Sequence, residues 1–268
     1  MSVTELPTLA IIVVTFNAEN FIERTARSIA EQLLSTQGAV EILLIDGCSS
    51  DNTVAIAEKS GVFTRVIVEP DSGIYDAMNK GAHLAKSQWL HFLNAGDTFY
   101  DHDSLDLLVK DLERSRAAWA ISRAVNLGGG VGPAMAIPSV PHRWYRHALG
   151  LQPHCHQATY FRRSTFLEIG GHSLEYGMAG DFDIIMRLGL IERPYEIGRI
   201  LINYLGGGVS DGAWRLNGNG QHLSRTDRMR FGRMLRRVDA MWVRLSQIVL
   251  RAKVTGGRYR LLIMRTFK

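Results

Sequence analysis

The hydrophobic and polar positions of this chain fall into alternating strand-like and helix-like runs. Residues 9–14 are a continuous, β-branched apolar stretch ending at Thr15, the pattern of a strand buried on both faces. Across residues 18–34, Phe21, Ile22, Thr25, Ala26, Ile29 and Leu33 recur at helical spacing. Residues 41–45 read as a second buried strand that runs into a turn-forming segment, 46–53. A helix over 54–59 follows, with Ser50 or Asp51 as its N-cap. A third strand is predicted over 65–69, a helix over 72–86 and a fourth strand over 88–93. Such alternation predicts a parallel sheet with helices on both faces. Further on, the pattern gives a helix at 104–115, a strand at 119–125, a turn at 127–133 and a strand at 156–162. A short helix at 164–170, closed by Gly170 and Gly171, a helix at 181–189 and a strand at 197–204 complete this part. A Gly-rich loop, 206–220, and a long helix from about 221 to 254 end the chain, and no internal repeat is present.

In open α/β sheets ligands bind beyond the carboxyl ends of the strands. Asn17, Asp46, Asp71 and Asp97 all fall where the first four predicted strands end. Asp46 can accept hydrogen bonds from a nucleobase N–H, or can be a turn aspartate. Asp71 can touch ribose or base, or cap the helix from residue 72. Asp97, in the segment Asn94-Ala95-Gly96-Asp97, can hold Mg²⁺ or Mn²⁺ through a carboxylate, or simply belong to a turn. Asp181, at the start of a helix, can act as a general base or as an N-cap. Asp183 is expected to face elsewhere. His154, His156 and Gln157 form a polar cluster suited to a substrate hydrogen bond, with no metal-ligand spacing. No GxxxxGK is present, which excludes a P-loop, and no GxGxxG follows the first strand.

With 268 residues, 46% of them hydrophobic, the chain suits one large domain or a domain plus an appendage. Its net charge of +5 is unevenly spread: residues 1–192 hold 15 Lys/Arg against 22 Asp/Glu, and 193–268 hold 16 against 4. An acidic body and a basic tail are therefore expected, the tail meeting something anionic. Cys48 and Cys155 form no CxxC pair, which fits a reducing, cytoplasmic setting. Residues 1–8 carry no secretory pattern, and no apolar run is long enough to span a bilayer.

Six segments, taken in order, resemble the family 2 inverting glycosyltransferases of GT-A fold. They are VVTFN (13–17), DGCSSDNT (46–53), EPDSGIYDAMNKG (69–81), FLNAGD (92–97), HQATYFRRSTFLEIGG (156–171) and AGDFDIIMRL (179–188). The set is most similar to bacterial enzymes of glycolipid and surface polysaccharide assembly. The resemblance implies a Rossmann-like, mostly parallel central sheet flanked by helices. It also implies transfer of a sugar from a nucleotide-diphosphate donor to a saccharide or lipid-linked acceptor. Thr15, Asn17, Asp46 and Asp71 match positions that line the nucleoside pocket, Asp97 the last metal-binding aspartate, and Asp181 the catalytic base. Asn94, His156, Gln157, Gly207 and Ser210 are further expected substrate contacts. The first aspartate of the metal motif is Ala95 here, which leaves one carboxylate for the cation.

The expected division is a catalytic domain over residues 1–210 and a Gly-rich loop plus basic helical tail over 211–268. Met234, Val238, Met241, Leu245 and Ile248 step by four, three, four and three, with five arginines interspersed. That is an amphipathic helix with a cationic face. It either lies on an anionic membrane surface, at the inner face of the cytoplasmic membrane, or docks on the catalytic body. The tail has no interleaved aromatic platform, so no nucleic-acid partner is expected. The rival readings are a nucleotide-sugar- or nucleic-acid-binding protein with a degenerate site, and a nucleotidyltransferase.

Overall fold

A computed structural model describes residues 6–33, 39–128, 134–137, 139–148, 152 and 154–206. The chain divides into two units, the first made of Met1–His142 and His154–Gly206, the second of Arg143–Pro153 and Gly207–Lys268. The predicted loop and tail, with Gly207, Ser210 and the expected boundary at residue 210, lie outside the described residues. Within the second unit the described part is a short helix, Trp144–Ala148, and Gln152, whose side-chain carbonyl accepts the Arg143 N–H at 2.9 Å.

The first unit is built on one sheet. Its strands are β1 (Leu9–Thr15), β2 (Val40–Asp46), β3 (Arg65–Val68), β4 (Trp89–Asn94), β5 (Thr98–Phe99), β6 (Trp119–Asn126), β7 (Met135–Ile137), β8 (Thr159–Arg162) and β9 (Tyr195–Tyr204). They lie in the order β3-β2-β1-β4-β8-β6-β9-β5, with β7 on β6. The block β3-β2-β1-β4 is parallel throughout, and β6 and β9 are also parallel. β8, β5 and β7 pair antiparallel, so the sheet is mostly parallel, as expected, with antiparallel members beyond β4. The helices in chain order are α1 (Glu19–Gln32), α2 (Thr53–Ser60), α3 (Ile74–Leu84), α4 (Ser104–Arg114), α5 (Trp144–Ala148, in the second unit), α6 (Arg163–Glu168) and α7 (Gly180–Ile191).

All seven residues of β1 are buried, as its unbroken apolar run requires. Alternation along a strand sends neighbours to opposite faces. Leu9, Ile11 and Val13 pack with Ile22 and Ile29 of α1 and with Leu105 and Leu108 of α4. Ala10, Ile12 and Val14 pack with Tyr75 and Met78 of α3, Phe166 of α6, and Ile184, Ile185 and Leu188 of α7. Two interiors thus share one sheet. The chain leaves β1 for β2 and β3 on one side and returns to β4 on the other. That reversal of strand order puts a crevice at the carboxyl ends of β1 and β4.

Several helix starts differ from the sequence reading. α2 begins at Thr53 after Asn52. Asp51 still accepts the Thr53 N–H at 3.0 Å, so it supports the helix from just outside it. α3 begins at Ile74 because Asp71 folds onto the Gly73 N–H at 2.8 Å and Gly73 takes φ 123°. The predicted strand at 156–162 opens instead with a single tight turn, His156–Ala158.

Candidate active site

Register brings the strand ends together first. Thr15 stands beside Asp46, and Val14 beside Asn94. Asp46 is fully buried, and its carboxylate is shared among neighbours. Oδ2 accepts the Thr15 hydroxyl at 2.7 Å and the Ser49 hydroxyl at 2.6 Å; Oδ1 accepts the Ser49 N–H at 2.7 Å. A carboxylate offers about four acceptor positions, so about one remains for a ligand N–H. Ser49 also accepts the Asn17 N–H at 2.8 Å, and Asn17 Oδ1 accepts the Ser50 N–H at 2.9 Å. Asn17 (φ 50°) and Cys48 (φ 63°) are left-handed without being glycine, the kind of backbone that persists where its surroundings fix it.

Asp71 arrives from the β3–α3 loop. A Cβ built on Gly47 overlaps Asp71 Oδ2 and lies 3.4 Å from Phe16 Cδ2. Asp71, Phe16 and the backbone after Asp46 therefore meet at Gly47, where a side chain would have to displace the Asp71 carboxylate. Phe16 is 65% exposed, an uncovered aromatic at the rim. Gly47→Ala is expected to push Asp71 and Phe16 aside and weaken nucleotide binding about tenfold with little loss of fold. Equilibrium binding of UDP, GDP and TDP checks this; unchanged affinity would separate Gly47 from the pocket.

Asp97 closes the other side. It is 2% exposed, and its oxygens accept the Leu205 N–H and the Gln157 side-chain N–H, each at 2.8 Å. Burial pushes its carboxyl up to about 7, against the pull of those donors. Thr25 of α1 latches this turn: its hydroxyl accepts the Gly96 N–H at 2.8 Å and donates to the Asp97 carbonyl at 2.9 Å. Asn94 Nδ2 lies 3.1 Å from His156 Nε2, and Asn94 Oδ1 is buried with no hydrogen-bond partner. A buried carboxylate and, three residues earlier, a buried amide oxygen with no partner are the kinds of oxygen ligand a hard divalent cation takes. Among the described residues no cluster of three or more His, Cys, Asp or Glu could hold a metal, so a cation at Asp97 would take most of its ligands from elsewhere.

Gln157 joins the catalytic candidates to this turn. It donates to Asp97, and its Oε1 accepts the Cys155 thiol at 2.9 Å. Burial, then the charge of Asp97 and more weakly that of Asp181, push the Cys155 thiol up, so both carboxylates act on one buried side chain. Asp181 lies at the second position of α7, where its Oδ1 accepts the Phe182 N–H at 2.7 Å. Burial raises its carboxyl above the usual range. Asp183 turns away, as expected, into an ion pair with Arg187 at 2.6 Å.

The four aspartates picked out from the sequence therefore stand at the carboxyl edge of one sheet or on side chains linked to it. Gln157 is a buried support within this framework, and half-buried His156 stands against Asn94. His156 is neutral, its imidazole held down to about 4 by burial. His154 pairs with His142 instead, at 3.0 Å. Ser49, Thr25, Cys155, Phe16 and Tyr75 were not singled out as site residues. Ser49, Phe16 and Tyr75 sit inside the quoted segments, but a hydroxyl or an aromatic in a turn carries no periodic signal.

Comparison with known proteins is consistent across sequence and structure. The profile of Glycosyl transferase family 2 matches residues 10–168. A "PGL/p-HBAD biosynthesis glycosyltransferase" of Mycobacterium bovis is 32% identical over 190 residues, covering 68% of this chain and 69% of the relative. Two solved structures share the fold. One is S. aureus TarS 1–349 in complex with UDP-GlcNAc, with a TM-score of 0.69 and 16% identity over 96% of this chain and 76% of TarS. The other is the mannosyltransferase PcManGT of Pyrobaculum calidifontis with GDP-Man and Mn²⁺, with a TM-score of 0.61 and 15% identity over 98% and 80% of the two chains.

Proposed function

Because the chain belongs to glycosyl transferase family 2 and is a glycosyltransferase, we propose that it transfers a sugar from a nucleotide-diphosphate donor to an acceptor hydroxyl with inversion. What supports this reading is the grouping of the four aspartates in two pairs, Asp46 with Asp71 and Asp97 with Asp181. The first two meet the backbone around Gly47, and the last two both act on Cys155.

In this reading the nucleoside lies at the ends of β1 and β2. Asp46 and Asp71 accept from base and ribose, Thr15 and Asn17 hold the turn that shapes the pocket, and Phe16 offers a face for the base to stack on. Asp97 and Asn94 would hold Mg²⁺ or Mn²⁺, and the cation would supply positive charge to the leaving diphosphate. PcManGT, with its GDP-Man and Mn²⁺, supports a cation of this kind. Asp181 takes the acceptor's proton as its oxygen attacks the anomeric carbon from the face opposite the diphosphate. One such displacement inverts the centre. The Mycobacterium bovis relative's role in PGL/p-HBAD biosynthesis supports a glycolipid acceptor. Among the described residues no helix is long and apolar enough to cross a membrane. The basic tail, 211–268, is the part we assign to an anionic membrane surface, where a lipid-linked acceptor would be met.

The test is a panel of UDP-glucose, UDP-GlcNAc, GDP-mannose and TDP-rhamnose, each with and without Mn²⁺, following release of nucleoside diphosphate. Metal-stimulated release from one nucleotide class is expected. Binding of nucleotides without any release would favour a sugar-nucleotide-binding protein instead.

A further inference from the structure

Tyr75 has no part in the chemistry above, yet it joins the two ends of the site. It is the second residue of α3, just after the Asp71–Gly73 turn that reaches Gly47. Its ring packs on Gly180 so closely that a Cβ there would lie 2.8 Å from both Cδ2 and Cε2. The His172 ring backs it at 4.9 Å. The Tyr75 hydroxyl accepts the Asp181 N–H at 3.2 Å, which sets the phenol beside the Asp181 side chain, where burial and then the charge of that side chain push the phenol up. His172 is itself held by α3, since Asn79 Oδ1 accepts its N–H and Asn79 Nδ2 donates to its carbonyl, both at 2.8 Å. One helix therefore supplies both the group that touches Asp181 and the group that fixes its backing.

We propose that Tyr75 is the positioning residue for Asp181: its hydroxyl takes the N–H of Asp181 and gives its own hydrogen to the Asp181 carboxylate, fixing that carboxylate's rotamer. The consequence for turnover rests on Asp181 being the base. Because Tyr75 follows the Asp71 turn directly, the same contact ties the position of the base to the donor side.

A hydrogen bond donated to the charged form lowers a carboxyl's pKa. Burial raises that of Asp181, and the Tyr75 hydroxyl and the Phe182 N–H oppose the rise. The other groups around it hold one charge state through neutrality. Tyr75 and Cys155 are pushed up by burial, and His172 is held down to about 3 and His156 to about 4, also by burial. On α7 itself, Asp183 is paired with Arg187. Asp97, at about 7, is common to wild type and variant.

The experiment uses the full chain labelled with ¹³C at aspartate carboxyls, the Asp181 signal being identified by its loss in Asp181→Asn. In Tyr75→Phe the Asp181 pKa is expected to rise by about one unit. Release of diphosphate with water as acceptor, from the best donor of the panel, should fall about tenfold in kcat at neutral pH, with donor KM unchanged. An unmoved Asp181 signal in a folded Tyr75→Phe overturns the proposal, as does a loss confined to donor KM. Should Tyr75→Phe not fold, Gly180→Ala displaces the ring instead, and an unmoved Asp181 signal there is equally fatal. A shifted signal together with full turnover in Asp181→Asn would leave the Tyr75 contact standing and remove Asp181 as the base.

Discussion

Replacing Asp181 by asparagine is expected to cut turnover about a thousandfold while nucleotide affinity stays within about a factor of two. Asparagine keeps the shape, and its oxygen can still accept the Phe182 N–H that Asp181 Oδ1 accepts at 2.7 Å, so α7 should start as before. What it cannot do is take a proton. The contacts of Asp181 run to Tyr75 and within α7, whereas the nucleoside side is built from β1, β2 and the Asp71 loop. Loss of turnover should therefore come without loss of donor binding. Steady-state release of diphosphate, set beside calorimetric binding of the nucleotide, measures both. Near-normal turnover in the variant would take the proton-accepting role away from Asp181.

Asp97→Asn should abolish stimulation by Mn²⁺ and weaken metal-dependent nucleotide binding about a hundredfold. The sign of its pH dependence follows from burial. The carboxyl sits at about 7 in the fold against 3.8 ordinarily, so the folded chain holds this proton more tightly than the unfolded one. Without metal, stability should fall as pH climbs from about 3.8 toward 7 and level off above it. A cation needs the ionised form, so Mn²⁺ affinity should drop about tenfold per unit below pH 7 and be flat above it. Thermal-shift titrations of Mn²⁺ at several pH values measure this. A wild-type affinity that ignores pH would disconnect the cation from Asp97. The variant itself should lose about 1–3 kcal/mol, because the amide nitrogen that replaces one oxygen cannot accept, which leaves either the Leu205 or the Gln157 N–H without its acceptor.

Strands buried on both faces were the most legible elements. β1 is an apolar run up to Thr15 and β2 and β4 are mostly apolar, and their order with the intervening helices foretold the parallel block. β5 and β7 were missed, because two or three residues carry no period. The antiparallel insertion of β8 between β4 and β6 was also invisible, since a strand's own sequence does not state its neighbours. Of the site, the acids at strand ends were readable because topology predicts where strands end. Their partners were not. Asp46 read as a group free to meet a base, yet Thr15 and Ser49 already hold it. Gln157 read as a substrate contact, yet it braces Asp97. Ser49 is only three residues from Asp46, but Thr15 and Gln157 reach their aspartates across 31 and 60 residues, which spacing cannot encode.

The alternation along β1 has one more consequence. Its odd residues belong with α1 and α4, its even ones with α3, α6 and α7. Thr25 fastens the cation turn to α1, while the proton acceptor rides on α7. The sheet is thus a party wall between two workshops: slackness behind Ile11 disturbs the cation end, and slackness behind Ile12 the proton end. Either side can be rebuilt over evolutionary time while its neighbour stands.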